Sequence, residues 1–183
     1  MGRIILYKPT VRVSPDEVSA PGTRATVHDV RYLTPLRNVP MPHLVILYTA
    51  NLEKETNMTV LCRSLAGVML EQKDDSGQPV FPTGGTRVLA YPAPHHAVAD
   101  GGAAGLAAGG SGDYAFVYLN LRMARGRSGA THKRVGDALL MATKAHFQPV
   151  FSQRHIGVTL QIDEGGEVFD ARHSNLHPLF KNV

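Results

Sequence analysis

The chain has 183 residues, of which 43% are hydrophobic and 19% charged, a composition that excludes a disordered protein and fits one globular domain, with or without an appendage. No apolar run approaches the roughly 20 residues that span a bilayer, and the apolar patch at the amino terminus is too short for a secretory signal, so the sequence predicts no membrane partner and a cytoplasmic location. Residues 1–41 hold six basic and three acidic residues and therefore contribute +3 of the net charge of +4, which leaves a nearly neutral body and argues against a nucleic-acid partner.

The first segment, residues 1–41, contains five prolines and no sustained hydrophobic period. Proline removes backbone donors and blocks helix, so the segment is predicted to be an irregular extension with at most short strands at 3–7 and 25–32. A start codon assigned too far upstream would produce the same kind of segment. The sequence therefore leaves open whether residues 1–41 belong to the mature protein, and it places the folded domain at 42–183.

A regular pattern begins at Pro42. Residues 43–50 are almost continuously apolar, which predicts a buried strand. Asn51 is a candidate N-cap for an amphipathic helix over about 53–72, which would cover one face of a sheet. Cys62, the one cysteine of the chain, falls on the apolar face of that helix and is interpreted as core packing; a single cysteine also excludes an intramolecular disulfide.

Turns and a loop follow the first helix. Turn-forming residues at 73–78 and 81–85 lead into a predicted short strand at 86–91. Residues 92–112 are rich in proline, alanine and glycine, and the part at 101–112 has almost no side chain to pack. We predict a flexible loop there, and not a phosphate cradle, because no strand runs into the glycines with a helix directly behind them.

The first pattern then repeats. Residues 114–123 alternate between apolar and mixed positions, which predicts a strand, and Ser128 is a candidate N-cap for a helix over about 129–147. Residues 155–163 alternate again as a final strand, and 175–181 have apolar anchors without a clear period. The body thus reads as an α/β (α+β) fold, in which two copies of a β-α-β unit build a four-stranded sheet. Right-handed crossovers place both helices on one face, so the other face is expected to need a partner.

Six short motifs occur in order along residues 41–181. They are Met41-Pro42-His43, Phe81-Pro82-x-x-Gly85-x-Arg87, Asp113-Tyr114-Ala115-Phe116-Val117, Gly126-Arg127-Ser128, Thr143-Lys144-Ala145-His146-Phe147 and His177-Pro178-Leu179-Phe180-Lys181. Together they resemble the 5-carboxymethyl-2-hydroxymuconate delta-isomerase family of the tautomerase superfamily. The resemblance implies a duplicated β-α-β fold that assembles as a homotrimer. It also implies an enzyme that isomerises an unsaturated polycarboxylate without a cofactor. This chain departs from the family in two features. The family's proline is the first residue of the mature protein, whereas here it is residue 42, and the loop at 101–112 is longer here than in the family.

The resemblance implies roles for three residues. Pro42 would be the general base, provided that its nitrogen is a free secondary amine, and the alternative is a proline that merely starts a strand. Arg87 and Arg127 match the two substrate-binding arginines of the family, and a planar guanidinium suits a carboxylate. The alternative for each arginine is a solvated surface side chain, which is also our interpretation of Arg125.

The histidines give no support for a metal site. His173 and His177 are four residues apart, but no third ligand follows at a suitable spacing. His43 and His146 lie beside core positions and are interpreted as packing residues.

Three functions are compatible with these observations. The first is isomerisation of 5-carboxymethyl-2-hydroxymuconate, or of a close relative, to its oxo tautomer in the breakdown of an aromatic acid. The second is a tautomerase that acts on another substrate, because a fold does not fix a function. The third is a non-catalytic assembly in which residues 1–41 cap the nitrogen of Pro42.

Overall fold

The computed structural model describes residues 42–166 and 177–180. The predicted extension at 1–41, with its two possible strands, lies outside the described residues, as do 167–176 and 181–183. Within the described part of the chain, no helix is long and apolar enough to cross a membrane. The cytoplasmic location stays a prediction.

The first unit consists of strand β1 (His43–Thr49), helix α1 (Met58–Glu71) and strand β2 (Arg87–Ala93). The predicted cap at Asn51 is wrong, because its side-chain amide donates instead to the second unit, at the backbone oxygen of Tyr114 (2.9 Å). Residues Ala50–Leu52 form a 3₁₀ turn, and the helix begins after Asn57, whose Oδ1 accepts from Val60 N. Cys62 packs against the core from a half-buried position, and burial raises the pKa of its thiol, as expected for a packing residue.

The segment between the two units is not wholly irregular, which corrects the prediction for 92–112. It contains the short helix α2 (Ala103–Ala107). The Asp100 carboxylate accepts from Gly102 N (3.0 Å) and Ala104 N (2.9 Å), so an acidic side chain starts the helical turn where the sequence shows mainly small residues. The first two residues of the segment 92–112 belong to β2, which is an edge strand and therefore tolerates Pro92. The predicted flexibility of this loop stays a prediction.

The second unit consists of strand β3 (Ala115–Ala124), helix α3 (Gly129–Phe151) and strand β4 (Ile156–Gly165). Ser128 is the N-cap, as predicted, and its hydroxyl accepts from Thr131 N at 3.1 Å. Helix α3 runs four residues further than predicted, through Pro149, and its last turn buries Val150. Burial of Val150 offsets the backbone hydrogen bond that proline cannot donate.

The strands form one four-stranded sheet in the order β2-β1-β3-β4. Strands β1 and β2 are parallel, as are β3 and β4, whereas β1 and β3 are antiparallel and join the units at the centre. The helices α1 and α3 contact each other on one face of the sheet. The predicted duplicated β-α-β fold, with two helices on one face, is therefore confirmed.

The core lies between this sheet and the two helices. It is built from alternate residues of every strand, and Leu44, Leu119 and Leu139 in it are fully buried. On the opposite face of the sheet, Leu47, Leu89 and Tyr91 are between 41% and 48% exposed. A half-covered sheet of this kind holds its core on one side and presents apolar side chains on the other.

Candidate active site

Pro42 lies immediately before β1 and is buried. Its carbonyl oxygen accepts from the backbone N of Arg87 at 3.3 Å, which fixes the starts of β1 and β2 side by side. A Cβ placed on Gly85 would lie 3.6 Å from Cδ of Pro42 and 2.8 Å from Cγ of Pro82. Because Cδ is bonded to the ring nitrogen, Gly85, in the 3₁₀ turn Thr83–Gly85, lies near the nitrogen side of the Pro42 ring, and a Cβ at this position would clash with the ring of Pro82.

Arg87 is the first residue of β2, opposite His43 in the parallel register. Its Nη1 donates to the backbone oxygens of Gly84 (2.9 Å) and Thr86 (3.1 Å). The guanidinium therefore folds back onto the turn that packs against Pro42. The structure thus brings together two of the three residues that the sequence singled out.

Arg127 lies between β3 and α3, at the same end of the sheet, because β3 runs antiparallel to β1. Its Nη2 donates to the backbone oxygen of Val80 at 3.2 Å, and its Nη1 lies 3.5 Å from Oδ2 of Asp74. The side chain is 24% exposed and lines a cavity of about 250 Å³ that does not include Pro42 or Arg87 in its wall. Residues 80–85 connect the two places, since Val80 contacts Arg127 and Gly85 contacts Pro42.

Two acidic residues that the sequence analysis did not single out hold this region together. Asp74 Oδ1 accepts from Ser76 Oγ (2.7 Å), Ser76 N (2.9 Å) and Gln78 N (3.0 Å), and these hydrogen bonds lower the pKa of the carboxyl. Asp75 accepts from Ser128 Oγ at 2.5 Å, which also lowers its pKa. The sequence predicted a turn at 73–78, but nothing in it indicated that the turn would face the start of α3.

A single 3₁₀ turn near the carboxyl terminus, His177–Phe180, adjoins the turn Thr83–Gly85. Leu179 is 68% exposed and Phe180 is 38% exposed. Apolar side chains from the distant end of the chain therefore lie near the turn beside Pro42, which the sequence could not indicate because this segment has no period.

The described residues include no group of three or more His, Cys, Asp or Glu side chains that could hold a metal ion. Oγ1 of Thr56 lies 2.6 Å from Nε2 of His146, and burial lowers the pKa of this imidazole. This environment agrees with the interpretation of His146 as a packing residue.

A family model described as 5-carboxymethyl-2-hydroxymuconate isomerase matches residues 42–180, well over half of the chain. The chain belongs to this family. The match begins at Pro42, so residues 1–41 lie outside it. The resemblance inferred from the six motifs is confirmed, and as a member of this family the chain is an isomerase.

Individual relatives agree with this assignment. The chain is similar to a crystal structure of a 5-carboxymethyl-2-hydroxymuconate delta-isomerase, with 58% sequence identity and a TM-score of 0.76. The superposition covers 78% of this chain and 95% of that chain. A 5-carboxymethyl-2-hydroxymuconate isomerase from Deinococcus radiodurans R1 is 32% identical, with a TM-score of 0.64, over 78% of this chain and 96% of that chain. The 5-carboxymethyl-2-hydroxymuconate Delta-isomerase of Escherichia coli is 24% identical over 141 residues, which are 77% of this chain and 100% of that protein.

Proposed function

We propose that this chain converts 5-carboxymethyl-2-hydroxymuconate, or a closely related unsaturated polycarboxylate, from its hydroxy (enol) form to its oxo isomer during the breakdown of an aromatic acid. The observation that carries the proposal is the position of Pro42: the family match begins at this residue, and its ring packs against Gly85 beside Arg87. The relatives named for this reaction support the choice of substrate.

The proposed general base is the nitrogen of Pro42. As a free secondary amine it removes a proton from the enol hydroxyl or the carbon chain of the substrate, and the resulting ammonium returns a proton at another carbon. No cofactor is needed, because only a proton and the double bonds move. Burial and neighbouring guanidinium groups both favour the neutral amine, which is the form that accepts a proton. In a chain that retains Met41 this nitrogen is an amide and has no basic lone pair.

Arg87 and Arg127 are proposed to bind the carboxylates of the substrate. A guanidinium has five N–H donors in a planar fork, so Arg127 can donate hydrogen bonds to a substrate carboxylate while it also donates to Asp74 and Val80. Positive charge at both arginines would also stabilise the negative charge that develops on the dienolate oxygen. A substrate with carboxylates at both ends suits two such groups.

We further propose that the chain assembles as a homotrimer through the open face of its sheet. The half-exposed Leu47, Leu89 and Tyr91 lie there, and a cavity of about 290 Å³ between Leu47, Phe116 and Tyr118 opens on the same face. Apolar side chains at this density favour burial against further copies. Sedimentation of the purified chain tests this point, and a monomer at working concentration would contradict it.

The deciding experiment compares two proteins: the full 183-residue chain and a chain that starts at Met41, from which removal of the initiator Met exposes Pro42. Isomerisation of 5-carboxymethyl-2-hydroxymuconate is followed by ultraviolet absorbance, and intact mass fixes each amino terminus. We expect the shorter chain to be active and an unprocessed full chain to be slower by about 10²–10⁴-fold, the usual contribution of a general base.

Two outcomes would change the conclusion. Full activity in a species that mass spectrometry shows to begin at Met1 would contradict the proline mechanism. If the protein isolated from its host retains residues 1–41 and is inactive, the non-catalytic assembly with a capped Pro42 becomes the better description.

A further inference from the structure

A second cavity lies at the start of the second β-α-β unit. In the first unit His43 pairs with Arg87, and in the second Ala115 pairs with Ile156. By this register, Tyr114 stands where Pro42 stands in the first unit. Because β1 and β3 are antiparallel, the cavity lies at the opposite end of the sheet from Pro42. We call it the second-unit cavity.

The cavity has a volume of about 530 Å³, enough for a compound of one ring. Its wall is largely apolar, with one arginine and one histidine. The residues that line it include Val98, Ala104, Phe151, Arg154, His155 and Ile156. An apolar wall with few polar groups is the usual form of a small-molecule site.

Arg154 is the polar group that defines the chemistry of this cavity. In the same register, Arg154 occupies the position in the second unit that Gly85 occupies in the first. The second unit therefore has an arginine side chain where the first unit has a glycine near its proline. Its side chain is only 10% exposed, and Nη2 pairs with Asp113 Oδ2 at 2.5 Å and with Glu55 Oε1 at 3.4 Å. Nη1 is buried, and none of the described residues gives it a hydrogen-bond partner. A buried donor without an acceptor is costly, and Arg154 is part of the cavity wall, so a ligand oxygen toward which the guanidinium turns would supply the missing acceptor.

The charges around Arg154 select the kind of acceptor. Asp113 and Glu55 together carry two negative charges against the single positive charge of the guanidinium. The hydrogen bond from Asn51 Nδ2, at 2.8 Å, and the pairing with Arg154 lower the pKa of Asp113, so this carboxylate is ionised at neutral pH. A further carboxylate would meet net negative charge, whereas an uncharged carbonyl oxygen would not.

We propose that the second-unit cavity binds a small uncharged carbonyl compound with an apolar body, whose oxygen accepts from Nη1 of Arg154. The apolar body packs against Val98, Phe151 and Ile156. The nitrogen of Tyr114 is a peptide amide, so this cavity lacks the proline base that is proposed for the first unit. The polycarboxylate substrate is excluded from it by charge.

The first test uses two probes of the same shape, benzamide and benzoate, titrated by calorimetry into the full-length chain. We expect saturable binding of benzamide, at least about tenfold tighter than benzoate, which corresponds to 1.4 kcal/mol. Asp113→Asn keeps the shape of the side chain and removes one negative charge, so it should narrow the difference between the probes by about tenfold. Equal binding of both probes, or a difference that Asp113→Asn does not change, would overturn the charge argument.

The second test locates the site with a matched pair of variants on α2. Ala104 lines the cavity, whereas Ala107 is on the same helix, is exposed and does not line it. Ala104→Leu should weaken benzamide binding about tenfold or more, and Ala107→Leu should leave it unchanged. In the chain that starts at Met41, both variants should keep the isomerase activity of the unsubstituted chain. Undiminished binding in Ala104→Leu, or a crystal soaked with benzamide that shows only an ordered water on Nη1, would overturn the proposal.

Discussion

The two β-α-β units share one scaffold and differ at the ends where their strands start. In the first unit Pro42 is buried against Gly85, with Arg87 folded onto the same turn. In the second unit Tyr114 takes the place of the proline, and Arg154 takes the place of the glycine and is paired with two carboxylates. The sheet and the helices therefore set where a site can form, and the few residues just before each strand set what it can do.

The structural equivalence of the units is tested by substituting one fully buried leucine by alanine in each unit. Leu65 on α1 and Leu139 on α3 are both fully buried between helix and sheet. Substitution of either by Ala should lower the free energy of unfolding by about 2–5 kcal/mol, from lost burial and the cavity left behind. Urea titration at fixed protein concentration measures this, with Met141→Ala as control, because Met141 is 71% exposed on α3. A cost below about 1 kcal/mol for one leucine alone would show that the units are not equivalent.

The functional difference between the units predicts a large effect of two arginines. In the chain that starts at Met41, Arg87→Ala or Arg127→Ala should lower kcat/KM by about 10- to 150-fold, because a hydrogen bond to a charged group contributes about 1.5–3 kcal/mol. The loss should be greater for a polycarboxylate enol than for a monocarboxylate enol. Arg125→Ala is the control, since its side chain is exposed. Equal losses on both substrates would contradict binding of the substrate at both ends.

A smaller effect is expected from Asp74, which pairs with Arg127 at 3.5 Å. A partly buried ion pair at this distance holds its partner only weakly, so the main effect of Asp74→Asn is to remove a negative charge beside an anion-binding group. We expect KM for the polycarboxylate to fall roughly two- to fivefold at low salt and the difference to vanish in high salt. Asp137→Asn on α3 changes the net charge equally and should have no such effect. A rise in KM for the polycarboxylate in Asp74→Asn would contradict this expectation and would show that Asp74 positions Arg127.

The smallest effect concerns pH and His146, which has no counterpart in the first unit. Burial lowers its pKa below the ordinary value of 6.5, so the unfolded chain takes up a proton first as the pH falls. This histidine therefore costs no stability above pH 6.5 and destabilises the fold progressively as the pH falls from there through its lowered pKa. The urea midpoint should drop less between about pH 7.5 and pH 5.5 in His146→Gln than in the unchanged chain. An identical drop in both would contradict the pKa shift, and His95→Gln in the exposed loop is the control.

Sequence patterns predicted those features that depend on neighbouring residues. Alternation along 114–123 gave the buried positions of β3, and Ser128 was recognised as a cap because its partner Thr131 is three residues away. The family motifs also pointed to Pro42 and Arg87, which the parallel pairing of β1 and β2 brings together. The predictions failed where a residue bonds far along the chain: Asn51 caps nothing, because its amide reaches across to Tyr114.

What the sequence determined by itself is the order of the four strands and the two long helices, the repeat that makes two equal units, and the family. These follow from local periodicity and from motifs, which need no knowledge of distant contacts. What only the tertiary structure decided is the set of partners: Asp74 and Val80 on Arg127, Gly85 on the Pro42 ring, and the cavity around Arg154. Each of these joins segments separated by tens of residues: the parallel pairing of β1 and β2 brings Gly85 to Pro42, and the antiparallel pairing of β1 and β3 brings the two units together.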